Sequence, residues 1–271
     1  MKLGFIGGGM MGEAIIAGAL SNGIAEASDI AVCEIVAARR DHLASAHGVS
    51  VSADAREAAA GAGLIVLAVK PQEFAAAAQS LAGGLKPDQT AVSIMAGVTI
   101  STIQGALKHE AVARAIPNTP AQIGEGMTVW TATPAVDQAS RDAIAGLLAV
   151  LGRDIYVSDE KYIDMATAVS SSGPAYVFLV MEAMIDAAVH VGLRRDMAET
   201  MVIQTVVGSA RYAQVTGRPL AELRAQVTSP GGTTAEGLLA LEEAGLRAGF
   251  TRAIVAAHEK AKKLGGSTSK P

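Results

Sequence analysis

A chain of 271 residues can bury a large core and hold two domains. Half of its residues are hydrophobic, 3% are aromatic and the net charge is −4 with no basic block, so nucleic-acid binding lacks both its electrostatic and its stacking signature. The one cysteine, Cys33, excludes an intramolecular disulfide and sits in an apolar run that suits a buried small hydrophobe. Strands are expected at 2–6, 30–33, 64–69, 90–95, 112–116, 127–131 and 154–157, and helices near 11–22, 36–46, 54–61, 72–82, 100–107 and 137–150. This alternation predicts an α/β domain over 1–158, a doubly wound parallel sheet with ligand sites at the carboxyl ends of its strands. From 159 to 265 the strand pattern stops. Apolar segments at helical spacing, 175–192, 196–215, 235–245 and 248–264, predict an all-helical domain whose wide apolar faces pack on a second subunit. Residues 266–271 read as a flexible tail. No basic-apolar leader precedes the first strand, and the uncharged stretch 89–107 is too polar for a membrane span, so a soluble cytoplasmic protein without a membrane partner is expected.

The segment KLGFIGGGMMG over residues 2–12 carries the sharpest chemistry. A short apolar strand ending at Ile6 runs into Gly7-x-Gly9-x-x-Gly12 and then into an Ala/Ile/Leu helix. A dinucleotide pyrophosphate needs this order: one glycine for the tight turn, one for backbone approach to the phosphates, and one for close helix–strand packing. The N–H groups of the helix start then face the anion. Glu34 lies 22 residues after Gly12 at the end of the second strand, where an acid can bond the ribose 2′-OH of NADH and repel the 2′-phosphate of NADPH. Arg39 and Arg40 could instead reach back to a phosphate.

Three further strand ends fall at the expected ligand edge. Ala68-Val69-Lys70-Pro71 places a lysine before a helix-starting proline, which reads either as a cofactor contact or as a solvated lysine. Ser93 to Val98 puts small residues where a nicotinamide ring could lie on backbone. Ile116 to Pro120 is a rigid polar loop that suits a ligand wall or an ordinary turn. In the helical half, Ser229 to Glu236 combines a Pro-Gly-Gly loop with Thr233 and Glu236 at capping-box spacing, so either a carboxylate-sized anion site or a capped structural helix is expected. Ser170 to Tyr176 is a second hydroxyl-rich break. Glu182, Asp186 and His190 read as a solvated helix edge, and His42, His47, His109 and His258 show no metal-ligand spacing, so no metal site is expected.

A nucleotide domain joined to a helical domain suggests hydride transfer. Carbonyl reduction usually needs a strong proton donor, often lysine or histidine. The helical half holds no lysine between Lys161 and Lys260. An imine is easier to reduce because its nitrogen can already carry the proton, and a hydroxyl such as that of Thr234 then suffices.

The ordered segments FIGGGMMGEAI, LAVKPQ, SIMAGVTI, AIPNTPAQIGEGMT, SSSGPAYVF and SPGGTTAEGL resemble the pyrroline-5-carboxylate reductase family over nearly the whole chain. The resemblance implies a Rossmann domain with a helical dimerisation domain, and reduction of the C=N bond of pyrroline-5-carboxylate to L-proline by NADPH or NADH. It also implies interlocked dimers, rings of dimers in some members, and active sites shared between subunits. By the same resemblance, Ile6, Gly7, Gly8, Gly9, Met10 and Met11 match the pyrophosphate loop. Ala68, Val69, Lys70 and Pro71, with Ile94, Met95 and Ala96, match the segments beside ribose and nicotinamide. Thr234 matches the hydroxyl on the substrate nitrogen. Ser229, Gly231, Gly232 and Thr233 match the carboxylate cradle, and Glu160 matches an acid at the substrate pocket. Gln226 stands where relatives carry asparagine, and Glu34 where they carry a small polar or basic residue. Two other readings stand beside this one: a hydroxy-acid dehydrogenase of the 6-phosphogluconate-dehydrogenase-like type, which should carry an early catalytic lysine, and a non-catalytic NAD(P) sensor.

Overall fold

The computed structural model describes residues 1–267. Its first compact unit, Met1–Gly173 together with the chain from Ala256, is built on one eight-stranded sheet. The strands are β1 (Leu3–Ile6), β2 (Ile30–Cys33), β3 (Ser50–Ser52), β4 (Leu64–Leu67), β5 (Thr90–Ser93), β6 (Val112–Ile116), β7 (Gly126–Ala132) and β8 (Gly152–Tyr156). They lie in the order β3-β2-β1-β4-β5-β6-β7-β8. β1 and β4 are apolar at every position and wholly buried, as strands covered on both faces must be. Helices α1 (Met10–Ser21), α2 (Ala37–His47), α3 (Ala55–Ala59), α4 (Phe74–Leu81), α5 (Ile100–Leu107) and α6 (Gln138–Ala149) supply the two covering layers. One layer packs around Phe5, Ile16 and Trp130, the other around Ile65, Phe74 and Ile103.

The sheet departs from the all-parallel expectation at one place. β7 runs antiparallel to β6, and β8 then pairs parallel with β7. The reason is chain length: only a 3-10 turn at Thr119–Ile123 separates β6 from β7, too little for a helical crossover. β3, three residues at the sheet edge with the pattern Ser-Val-Ser, had no strand signal in the sequence.

After β8, helix α7 (Lys161–Ala166) continues through a π-helical turn, Thr167–Ser171, into α8 (Gly173–His190). Sequence places the domain boundary at 158/159, whereas the compact units divide at Gly173/Pro174. The difference has a packing cause: Ile163 is fully buried with Ile116 and Val129, and Glu160 and Asp164 both bond the buried Arg114 of β6. The second unit, Pro174–Val255, holds most of α8, then α9 (Arg195–Thr216), α10 (Leu220–Gln226), α11 (Thr233–Glu243) and the start of α12 (Leu246–Ser267). Among its described residues only Ala198 and Val202 are buried apolar side chains, while Phe178, Leu179, Val207 and Val215 are exposed. The run Lys161–His190 is long and apolar enough, by length and composition, to cross a membrane. Its exposed apolar side is equally what a helical dimerisation surface presents. The expected tail at 266–271 begins inside α12, and its residues from 268 onward lie outside the described residues.

Candidate active site

The strand order reverses between β1 and β4, so the crevice at their carboxyl ends is the switch point of the sheet. Backbone bonds carry the ladder one residue past the strands on each side of it. Glu34 N donates to Ser52 O at 2.9 Å, Gly7 N to Cys33 O at 2.8 Å, Ala68 N to Ile6 O at 2.8 Å and Ile94 N to Leu67 O at 3.1 Å. Residues from four separate segments of the sequence thus stand in one row along the ligand edge.

Glycine is required in that row. Gly7 has φ +101°, and a Cβ on it would lie 2.7 Å from the carbonyl oxygen of Ala68. A Cβ on Gly12 would lie 2.8 Å from the oxygen of Gly7, so the helix packs on the turn only without side chains there. At Gly9, by contrast, a Cβ would meet nothing within 4 Å, and Gly9 is the N-cap of α1 without any side-chain cap bond. An open cradle before an uncapped helix start fits a pyrophosphate, whose oxygens would take the place of the missing cap. Met10 is exposed and Met11 half-buried at that helix start, whereas Ile6 and Met95 are buried in the core, so these two line the edge through backbone alone. Lys70 and Pro71 are exposed, Pro71 opening a 3-10 turn, and Val69 and Ala96 are half-buried.

Glu34 turns back over the loop. Its Oε2 accepts from Gly8 N at 3.0 Å and its Oε1 from Val36 N at 2.9 Å. A carboxylate offers about four acceptor positions, so two remain for ribose hydroxyls. Both arginines are engaged within the protein. Arg39 donates from Nε to Gly8 O at 2.7 Å and pairs with Glu13 of α1, and Arg40 donates to the carbonyls of Glu34 and Ile35 at 2.7 and 3.0 Å.

Glu160 is an anchor as well as a candidate substrate contact. Its Oε1 accepts from Arg114 Nη1 at 2.7 Å and from Ile100 N at 2.8 Å, tying α7 to β6 and to the start of α5. Arg114 is 1% exposed, and its Nη2 donates to Asp164 at 3.1 Å. Nothing in the local sequence announces this buried arginine, because its partners lie 46 and 50 residues away. Asn118 holds the loop after β6 in place: its Oδ1 accepts from Met127 N at 2.9 Å, and its Nδ2 donates to Ser170 O at 3.2 Å in the π-helical turn. A π turn of this kind concentrates at functional positions.

In the second unit, Gly231 adopts φ +67° and Gly232 is the N-cap of α11. Thr233 is therefore the first helical residue, and no side chain caps the helix, so the Thr233–Glu236 capping box predicted from spacing does not form. A glycine N-cap suits a purely structural helix start as well as an anion cradle, so both readings of this loop stand. Gly232 N donates to Ser229 O at 3.1 Å and shapes the loop, Thr234 is half-buried in the first turn, and Gln226 ends α10 exposed. Of the helix-edge residues, Asp186 pairs with Arg195 at 2.8 Å in the open. Two of the histidines add a grouping of their own. Donor atoms of His42, His47 and Glu13 lie within 4.8 Å of one another, a grouping hidden from sequence spacing because the carboxylate comes from another helix.

A switch-point glycine cradle on a mostly parallel sheet, followed by a helical unit, defines a dinucleotide-dependent oxidoreductase architecture. Residues 2–97 match the NADP oxidoreductase, coenzyme F420-dependent family, and residues 160–264 match the pyrroline-5-carboxylate reductase dimerisation family. The pyrroline-5-carboxylate reductase of Synechocystis sp. is 40% identical over 98% of this chain and 98% of its own length. The structure of a pyrroline-5-carboxylate reductase from Coxiella burnetii superposes with a TM-score of 0.91 at 36% identity, covering 97% of this chain and 98% of that one. Plasmodium falciparum pyrroline carboxylate reductase, solved with NADP bound, superposes with a TM-score of 0.87 at 29% identity over 98% of each chain. The chain belongs to the pyrroline-5-carboxylate reductase family.

Proposed function

We infer that this protein reduces L-1-pyrroline-5-carboxylate to L-proline with NADPH or NADH, the last step of proline synthesis. The observation that carries the reading is the row of Glu34, Gly7, Ala68 and Ile94 at the switch point, in a chain alike to these reductases from end to end. When bound, the reduced nicotinamide supplies a hydride to the imine carbon. The protein's own contribution is binding, orientation and proton placement. Gly7 to Met11 receive the pyrophosphate. Glu34 takes the adenosine ribose. Ala68 to Pro71 and Ile94 to Ala96 flank the other ribose and the ring. Thr234 hydrogen-bonds the substrate nitrogen, which already carries its proton, so no lysine is needed. Ser229, Gly231, Gly232 and Thr233 hold the substrate carboxylate at the α11 start, with Gln226 beside them. Glu160 Oε1 is committed to Arg114 and Ile100, which leaves its second oxygen for the substrate side.

The assembly is a homodimer, or a ring of such dimers, in the cytoplasm. The exposed apolar residues of α8 and α9 support the dimer, and a lone buried thiol accords with a reducing compartment. The test follows loss of reduced-nicotinamide absorbance with pyrroline-5-carboxylate and, separately, with simple keto acids. Turnover confined to the imine is expected. Cofactor binding without imine turnover would return the protein to the sensor reading, and keto-acid turnover to the hydroxy-acid reading.

A further inference from the structure

The grouping of Glu13, His42 and His47 lies outside the row that receives the dinucleotide. Glu13 Oε1 meets His42 Nε2 at 2.7 Å and His47 Nε2 at 2.9 Å. One carboxylate oxygen therefore receives two imidazole nitrogens from different turns of one helix. A carboxylate at neutral pH only accepts, so both rings present Nε2–H in this arrangement. Two imidazole nitrogens and one carboxylate oxygen within 4.8 Å of one another can also supply the three protein ligands of a tetrahedral divalent site with one open position.

Three features of the surroundings suit a cation. His42 and His47 occupy the last two turns of α2, and His47 is its final residue, so the negative end of the helix dipole faces the site. Glu13 is held from its other side: Arg39 bonds Oε2, leaving Oε1 aimed at the histidines, as an outer-shell donor fixes a metal-ligating carboxylate. His47 and Glu13 are largely enclosed, with side chains 16% and 23% exposed, while His42 at 50% leaves an entry from solvent.

We propose that Glu13, His42 and His47 form a binding site for a divalent transition ion of the zinc type, which clasps α2 to the start of α1. Imidazole donors select zinc, cobalt or nickel over magnesium or calcium. Binding exchanges the two Nε2–H bonds for two metal–nitrogen bonds: each ring keeps one proton, on Nδ1, and any further proton is released to solvent. The ion keeps a water in the fourth position. Because Arg39 also bonds Gly8 O in the glycine loop, the clasp is continuous with the loop without entering it.

The experiment uses untagged, chelator-treated full-length protein titrated with Co²⁺ and then with competing Zn²⁺. One equivalent of Co²⁺ per chain with the visible absorption of a tetrahedral N,O site is expected, displaced by Zn²⁺. A rise in Tm with Zn²⁺ but not with Mg²⁺ is also expected. His42→Ala with His47→Ala should abolish the band. Glu13→Gln, which keeps an acceptor for the histidines, should weaken Co²⁺ binding by about tenfold or more. The absence of a stoichiometric band in the wild type overturns the proposal. So does equal Co²⁺ binding by the double histidine variant or by Glu13→Gln, with circular dichroism confirming that each variant is folded.

Discussion

Removing the carboxylate of Glu34 should move cofactor preference toward NADPH. The side chain sits at the end of β2, half-buried, with its two oxygens on the N–H groups of Gly8 and Val36. In NADPH the ribose 2′-phosphate would face this anion. Two like charges at about 5 Å in a largely aqueous dielectric repel by about 0.8 kcal/mol, so a phosphate near two charges costs about 1–2 kcal/mol. Arg39 is charge-compensated by Glu13, whereas Arg40, held on the neutral carbonyls of Glu34 and Ile35, keeps its charge beside the site and holds the net repulsion toward the lower end of this range. The wild type should use NADH appreciably. Glu34→Ser should raise kcat/KM for NADPH about tenfold and lower that for NADH by a similar factor, since the ribose loses its acceptor. Glu34→Gln separates the two effects: it relieves repulsion while keeping an acceptor near the loop, so NADPH should gain with a smaller NADH loss. The assay is initial-rate kinetics with each cofactor at saturating imine. A strong NADPH preference in the wild type, unchanged in Glu34→Ser, would mean that the carboxylate does not face the ribose.

Thr234→Ala should lower kcat/KM by about 10–100-fold, the equivalent of about 1–3 kcal/mol for one substrate hydrogen bond, with dinucleotide affinity and Tm nearly unchanged; wild-type turnover would reduce the 229–236 loop to a helix start. Gly7→Ala forces a side chain into φ +101° and against Ala68 O, so about 1–3 kcal/mol of strain should appear as a lowered Tm and weakened dinucleotide binding by fluorescence titration. Glu160→Ala leaves the guanidinium of Arg114 with Asp164 alone, and chemical denaturation should register a loss of about 2 kcal/mol even without substrate; unchanged stability would show that the pair is no anchor. Light scattering should find no active species smaller than a dimer at micromolar concentration, given how few apolar side chains Pro174–Val255 buries by itself.

The dinucleotide half was legible because its signals are local. Glycine positions in the first turn, apolar strands of four residues and polar helix starts each follow from neighbouring side chains, and their order imposed the doubly wound topology. The SPGGTTAE loop was visible for the same reason, although spacing alone could not distinguish a capping box from an uncapped start; the backbone decided by making Gly232 the cap. What the sequence could not disclose are pairings across long chain separations. The antiparallel turn of β7 depends on how far nine residues can reach back along a sheet edge. The burial of Arg114 with Glu160 and Asp164 moved the compact-unit boundary into the helical run. Glu13 meets two histidines 29 and 34 residues away only because α1 and α2 pack against each other. Periodicity and turn chemistry are properties of adjacent residues and are written along the chain, whereas charge compensation in a core is a property of position in space and exists only once the layers have packed.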